Sequence, residues 1–264
     1  MPALKKIQQS FRRSLKTYDE NAFVQLEVAE TLSKMLSEYC AQSTHFSQVL
    51  ELGCGTGFLT KAILSRFTIQ QLHSTDLVSE CEVVLAEQLK PFLGEQLRSW
   101  EFVSADINQL NINKNHDLIC SASSMQWVDD LSVVMAKIIA GLRSKGWLAL
   151  SSFGPDHFSQ LRELNQNFGN ETSSLNYASD VQWRELLERD FEIKKIESQA
   201  MTIWFDSFHE MLQHLRNTGV NGNARQQWSQ KNLSEFAYFY ESTFAKQGCL
   251  PLSYEPIFII AQKR

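Results

Sequence analysis

Between residues 21 and 40 the apolar residues Ala22, Leu26, Ala29, Leu32, Leu36 and Tyr39 return at steps of three and four, which predicts an amphipathic helix with one buried face. The pattern then changes. Residues 48–52 (QVLEL) read as a buried strand, the run GCGTG at 53–57 turns the chain, and a helix is expected from Phe58 to about Arg66. Strands follow at 72–76, 100–106, 117–123 and 147–154, alternating with helices near 79–90 and over 130–142. In the last of these helices Leu131, Val134, Met135, Ile138 and Leu142 share a face. Strands spaced in this way predict a parallel sheet covered by helices on both sides, because each parallel crossover needs a connecting segment.

After Gly154 the strands come more slowly. Helices are predicted near 156–168 and 180–189, followed by a long extended run at 191–205. Ser207 and Glu210 have capping-box spacing, and Phe208, Met211, Leu212 and Leu215 form a helical stripe behind them. Residues 217–227, rich in asparagine and glycine, predict an exposed mobile loop. The terminal PLSYEPIFIIAQK predicts a strand in which Pro256 marks a kink, bulge or edge.

With 264 residues, 43% of them hydrophobic and 21% charged, the chain is expected to be one soluble domain with a sizeable core. Three parts are expected in it: a leading lid or helix (1–44), a ligand-binding core (45–155), and substrate-side helices with C-terminal strands (156–264). Cys40, Cys54, Cys81, Cys120 and Cys249 form no CxxC pair, so neither a zinc site nor a disulfide framework is predicted. No signal-peptide or transmembrane run is evident, and a cytoplasmic protein is expected. The net charge of −5 disfavours a general nucleic-acid binder. Against that total, Lys5, Lys6, Arg12, Arg13 and Lys16 gather in the opening 16 residues, either as a solvated arm or as a docking patch for an acidic partner.

A glycine-rich turn from strand to helix lets backbone approach a ligand closely and aims free amides at it. Gly53, Gly55 and Gly57 give GxGxG rather than the dinucleotide GxGxxG, and Phe58 stands where the third fingerprint glycine would fall, which weakens a nicotinamide dinucleotide as the ligand. Glu51 just before the turn and Asp76 at the end of the next strand are carboxylates placed for ribose hydroxyls, and Asp106 follows the third strand near an expected adenine. In this order ELGCGTG, Asp76 and Asp106 resemble the class I S-adenosylmethionine-dependent methyltransferases over roughly residues 45–155. The resemblance implies a Rossmann-like fold with a mostly parallel seven-stranded sheet, an antiparallel C-terminal strand and helical cap elements. It also implies S-adenosylmethionine as cofactor, with Leu77, Ile107 and Ser121 joining the acids and glycines as contacts.

Three further segments, FRRSLKTYDENAFVQ, MTIWFDSFHEMLQHLRNTGVNG and LPLSYEPIFIIAQKR, resemble the malonyl-acyl carrier protein O-methyltransferases of biotin synthesis. That family implies methyl transfer to the free carboxylate of a malonyl thioester on acyl carrier protein. A carboxylate is already ionised at neutral pH, so neither a general base nor a metal is needed. Catalysis would rest on alignment and partial desolvation. Gln126 and Trp127, after the fourth strand, are expected at the active site. Tyr18 and Gln25 fall in a segment that resembles a lid over the methionine end of the cofactor, with Asp19 or Asn21 as the helix cap between them. An arginine would select malonyl over acetyl thioesters, although too tight a pair stabilises the ground state more than the transition state. Arg13 and Arg216 are the candidates, His157 and His209 less obvious ones, and Arg143 and Lys145 belong at the far end of the sheet. Methylation of a small free acid such as trans-aconitate, and a methyltransferase-like scaffold or assembly factor, stand as rival readings.

Overall fold

The computed structural model describes residues 2–40, 44–112, 115–169, 177–219 and 230–264. In chain order the elements are helices α1 (Pro2–Asn21) and α2 (Phe23–Tyr39), strand β1 (His45–Leu52), α3 (Phe58–Leu64), β2 (Thr68–Asp76), α4 (Cys81–Leu89), β3 (Leu97–Ser104), β4 (His116–Ser121), α5 (Leu131–Gly141) and β5 (Leu142–Phe153). Then come α6 (Ser159–Asn167), α7 (Asp180–Leu187), β6 (Phe191–Ser198), β7 (Met201–Phe205), α8 (Phe208–Asn217), α9 (Gln230–Phe244), β8 (Leu250–Tyr254) and β9 (Pro256–Lys263). The described residues form two compact units, each assembled from three separate stretches of chain.

The sheet unit comprises Phe23–Phe153, Ala178–Ser198 and Ile257–Arg264. Its seven strands run in the order β3-β2-β1-β4-β5-β9-β6. The pairs β1/β2, β1/β4, β2/β3 and β4/β5 are parallel, and β9 is antiparallel to β6. All six residues of β4 are buried, as befits a central parallel strand covered on both faces. Helix α5 begins where the Asp130 carboxylate accepts from the amides of Ser132 and Val133. Its buried face, Val134, Met135 and Ile138, joins Leu150, Ile257, Ile259 and the fully buried Trp183 of α7 in one core. Ser179 and Gln182 make a reciprocal capping box at the start of α7.

The second unit comprises the stretch ending at Ala22, Gly154–Tyr177 and Gln199–Pro256. Here β7 and β8 form a two-stranded antiparallel sheet. Gln160 of α6 clamps Ser253 of β8, accepting from its amide and donating to its hydroxyl, and the Tyr240 hydroxyl of α9 donates to Pro251 O. Helix α1 lies on the end of α8. Thr17 donates to Asn217 O, and a Cβ at Gly219 would meet Ser14 and Phe11.

Five expectations are corrected. The leading residues are not an arm: Pro2–Asn21 is a helix, and the break falls at Ala22. Asp19 and Asn21 therefore do not cap α2. They sit in the last turn of α1, where Asn21 Nδ2 donates to Thr17 O. The extended run at 191–205 is two strands in two different sheets, parted at Gln199 and Ala200. The C-terminal run divides likewise at Glu255, so that Pro256 begins β9, where its missing amide donor costs least. Ser207 accepts from Glu210 N as expected, but the Glu210 carboxylate accepts from Asp206 N and not from Ser207, which makes half of a capping box. Helix α9 has no counterpart in the sequence reading. Most of the glycine- and asparagine-rich segment, 220–227, lies outside the described residues, as does the side chain of Lys6.

Candidate active site

The carboxyl ends of β1, β2 and β4 carry most of the polar groups singled out from sequence. The glycine turn is fixed from below, because the amides of Gly53 and Cys54 both donate to Thr75 O. Gly55 N donates to Asp76 Oδ2 at 2.8 Å, and Val78 N donates to Asp76 Oδ1 at 2.8 Å. Asp76 thus ties the loop to the end of β2. Burial pushes its carboxyl up, against the amides that favour the charged form. Gly57 stands at φ 94°, where a Cβ would run into Leu85, while the same construction at Gly55 meets open space. The loop is therefore closely packed on its helix side and open where a ligand can approach its backbone.

Glu51 lies beneath the loop, fully buried. Its Oε2 accepts from the Thr60 hydroxyl at 2.5 Å, and Oε1 has no protein partner. Burial pushes its carboxyl up to about 8, with the Thr60 bond working against the rise and Asp76 adding to it. Gln25 Oε1, in the first turns of α2, and Thr56 Oγ1, in the loop, are also buried without partners. Buried polar atoms are nearly always satisfied, so this trio marks places a polar ligand would fill. The Asp106 carboxylate at the end of the β3 segment accepts from the amide and side chain of Asn108 through Oδ1, and the half-buried Ile107 side chain points toward Gly53. Leu77 is half-buried beside Asp76. The Ser121 hydroxyl is committed to Leu52 O at 2.6 Å.

After β4 a short 3-10 turn, Met125–Trp127, places Gln126 in the interior at 6% exposure and leaves Trp127 half-buried. Gln126 Nε2 donates to Ser123 O. These residues all belong to the sheet unit. Tyr18, Arg13, Arg216, His157 and His209 belong to the second unit. There Arg13, Arg216 and His209 are exposed, Tyr18 is half-buried with its ring 6.4 Å from that of Phe11, and His157 is buried against Tyr177, Phe158 and Tyr254. Burial pushes the imidazole of His157 well below its usual range, so it is neutral at pH 7 and supplies no cation. Arg143 pairs with Asp117 at the amino end of β4, consistent with its assignment to the far end of the sheet. Sequence reasoning missed Thr56, Thr60 and Ser123. Thr60 falls nine residues after Glu51 in the first turn of α3, a spacing that a strand-turn-helix reading could have used.

Among the described residues no cluster of His, Cys, Asp and Glu is arranged for a metal ion, and no helix is long and apolar enough to cross a membrane. A family model described as a methyltransferase domain matches residues 50–148. Among solved structures, the N-methyltransferase NodS from Bradyrhizobium japonicum, in complex with S-adenosyl-L-homocysteine, superposes with a TM-score of 0.56 at 14% identity over 98% of each chain. Strand order, glycine turn and acids together define a class I methyltransferase. The chain is 33% identical over 97% of its length to the malonyl-[acyl-carrier protein] O-methyltransferase of Acinetobacter baylyi, covering 96% of that protein, and 32% identical over 97% to the enzyme of the same name from Haemophilus influenzae, covering 94%. It belongs to the malonyl-[acyl-carrier protein] O-methyltransferase family.

Proposed function

We propose that this protein transfers a methyl group from S-adenosylmethionine to the free carboxylate of a malonyl thioester carried on acyl carrier protein, an early step of biotin synthesis. The observation that carries the reading is the extent of the family match. It runs through 97% of the chain, and so includes the second unit as well as the glycine loop common to many methyltransferases.

The cofactor supplies an electrophilic methyl on a sulfonium. In this reading Asp76 and the Gly55 backbone hold the ribose, Asp106 meets the adenine amino group, and Gln25, Thr56 and Tyr18 serve the methionine end. Leu77 and Ile107 wall the adenine. The acceptor carboxylate is ionised at neutral pH, so no residue has to remove a proton. The protein's work is to align an oxygen with the methyl and to strip water from it. Arg13 or Arg216 selects the malonyl charge. Their exposure fits the energetic demand, since a solvated arginine holds a carboxylate more loosely than a buried one, and the charge it pairs with disappears on methylation.

Lys5, Arg12 and Lys16 are exposed on α1 at spacings of seven and four residues, which makes one stripe of positive charge along the helix. Acyl carrier proteins are acidic, and this stripe is the docking surface we assign to the carrier.

The test is intact-mass analysis of malonyl-acyl carrier protein after incubation with the protein and S-adenosylmethionine, with acetyl-acyl carrier protein and free trans-aconitate alongside. One added methyl confined to the malonyl carrier is expected. Methylation of trans-aconitate alone would sink the reading.

A further inference from the structure

The turn after β4 has features that methyl transfer, as written above, leaves unexplained. Ser123 stands at φ 54°, a left-handed conformation uncommon for serine. Its amide is held by Ser151, donating to Oγ at 3.1 Å and to the carbonyl oxygen at 3.2 Å. Its own carbonyl accepts from Gln126 Nε2 at 2.7 Å. A carbonyl can only accept, so the Gln126 side chain must present its NH2 end to Ser123, and its oxygen is fixed at the other end. That oxygen, Oε1, is buried with no protein partner, as is Ser123 Oγ. The same segment touches the glycine loop, where Ser124 Oγ donates to Gly53 O at 3.3 Å.

A buried acceptor without a donor destabilises the fold, and a left-handed non-glycine residue adds backbone strain. A ligand that brings a donor to Oε1 would satisfy the acceptor that the protein leaves open.

We propose that Gln126 Oε1 is a fixed acceptor for a cationic, hydrogen-bearing part of the cofactor, either its α-ammonium or its sulfonium-borne methyl, and that Ser123 is the positioning residue that sets the amide the right way round. The proposal rests on S-adenosylmethionine being the cofactor. It also narrows the part Gln126 plays at the active site: a carboxylate offers only acceptors and would be repelled by Oε1, so Gln126 does not hold the malonyl group through that oxygen. Hydrogen bonds to charged donors in buried surroundings are the strong ones, and C–H groups next to a cationic centre donate weakly to carbonyl oxygens, so both sources share one chemistry.

Calorimetric titration of the full chain separates them. Dissociation constants are measured for S-adenosylmethionine, S-adenosylhomocysteine and an S-adenosylhomocysteine analogue lacking the α-amino group, with the wild type and with Gln126→Met, which keeps the length and loses the amide. A roughly tenfold loss for the first two ligands with the deaminated analogue unchanged assigns the ammonium. A loss for S-adenosylmethionine alone assigns the sulfonium methyl. Unchanged constants for all three, or an equal loss for all three, overturn the proposal, the latter because it reports only damage to the fold. Ser123→Gly, which keeps the carbonyl and relieves the backbone, is expected to bind within about twofold of wild type. If it loses as much as Gln126→Met, the Ser123 hydroxyl is the contact and the assignment to Gln126 fails. Should the wild type bind none of the three ligands, the cofactor reading itself falls. Binding by the wild type together with an indifferent Gln126→Met overturns the present inference alone.

Discussion

In the sheet unit the site holds two acids, the buried Glu51 and the half-buried Asp76, whose carboxyls burial pushes up. The second unit holds two buried histidines. His214 Nε2 lies 2.7 Å from the Tyr254 hydroxyl, and His157 packs against the same ring; burial pushes His214 down to about 4 and His157 well below its usual range. Burial favours the neutral form of both kinds of group, but from opposite sides of neutrality. The contributions of these acids and histidines to stability should therefore respond to pH with opposite sign. The folded state holds the Glu51 proton more tightly than the unfolded chain does, so this contribution is full below about 4.5 and is lost as pH rises toward 8. His214 is the reverse: its contribution is full above 6.5 and is lost as pH falls toward 4.

The largest expected effect tests whether the sheet unit's acids serve a ligand or only the fold. Asp76→Ala removes the acceptor of Gly55 N and Val78 N together with the proposed ribose contact. It is expected to weaken S-adenosylhomocysteine binding about 100-fold by calorimetry, since several hydrogen bonds to one charged group are lost together. A loss smaller than fivefold would show that the loop amides hold the nucleoside without Asp76. Gly57→Ala comes next. At φ 94° and with Leu85 in the way, the added methyl is expected to cost about 1–3 kcal/mol in denaturant unfolding, and a neutral result would mean that the α3 start can shift.

The pH contrast can then be sharpened directly. With Glu51 ionising near 8, the unfolding free energy of the ligand-free protein should fall by up to about 1.4 kcal/mol per pH unit between pH 6 and 8, and Glu51→Gln should remove most of that slope while keeping the Thr60 contact. An unchanged slope would place the titration on another group. His214→Gln is the smaller counterpart. It is expected to flatten part of the stability loss between pH 6.5 and 5 and to leave the alkaline side untouched, as read by thermal melts; the buried His157 retains the rest of the acid response.

The two units also differ in how much of them could be read from sequence. In the sheet unit, Glu51, the three glycines, Asp76 and Asp106 follow one another in the order of strands that lie side by side, so the one-dimensional spacing carries over to neighbouring strand ends in the candidate site. The helices there are signalled by local chemistry, as at Asp130 before α5. The second unit is assembled from stretches up to 200 residues apart, such as Thr17 with Asn217, and no local pattern announces such contacts. Its strands β7 and β8 are each continuous in sequence with a strand of the large sheet, separated by two residues and by one. A run of β-favouring residues contains nothing that says it changes sheet partway. Helix α9 has no counterpart in the sequence reading, its aromatics Phe236, Tyr238, Phe239, Tyr240 and Phe244 being types that favour strands. Phe236 and Tyr240 are buried four residues apart on one face, while Tyr238 is exposed. Gln126 was expected at the active site and lies buried after β4; which end of its amide is left over depends on Ser123 O, a backbone atom whose direction follows from a left-handed residue that sequence does not reveal.

The smallest expected effect concerns α1, whose exposed stripe has no counterpart at the carboxyl ends of the strands. Replacing Lys5, Arg12 and Lys16 together by alanine takes three positive charges from the exposed face of α1, and the helix should persist: its buried side, Ile7 and Ser14, is untouched and alanine favours helix. At low salt the KM for malonyl-acyl carrier protein should rise about fivefold with kcat unchanged, because charge complementarity acts mainly on encounter. The difference from wild type should shrink as ionic strength passes about 0.15 M, where the screening length falls to about 8 Å. Malonyl-pantetheine, which has the same carboxylate and no acidic protein, should show no difference at any salt concentration. An equal rise for both substrates would mean that α1 supports the acyl site itself, and the division between a unit that holds the cofactor and a helix that greets the carrier would have to be redrawn.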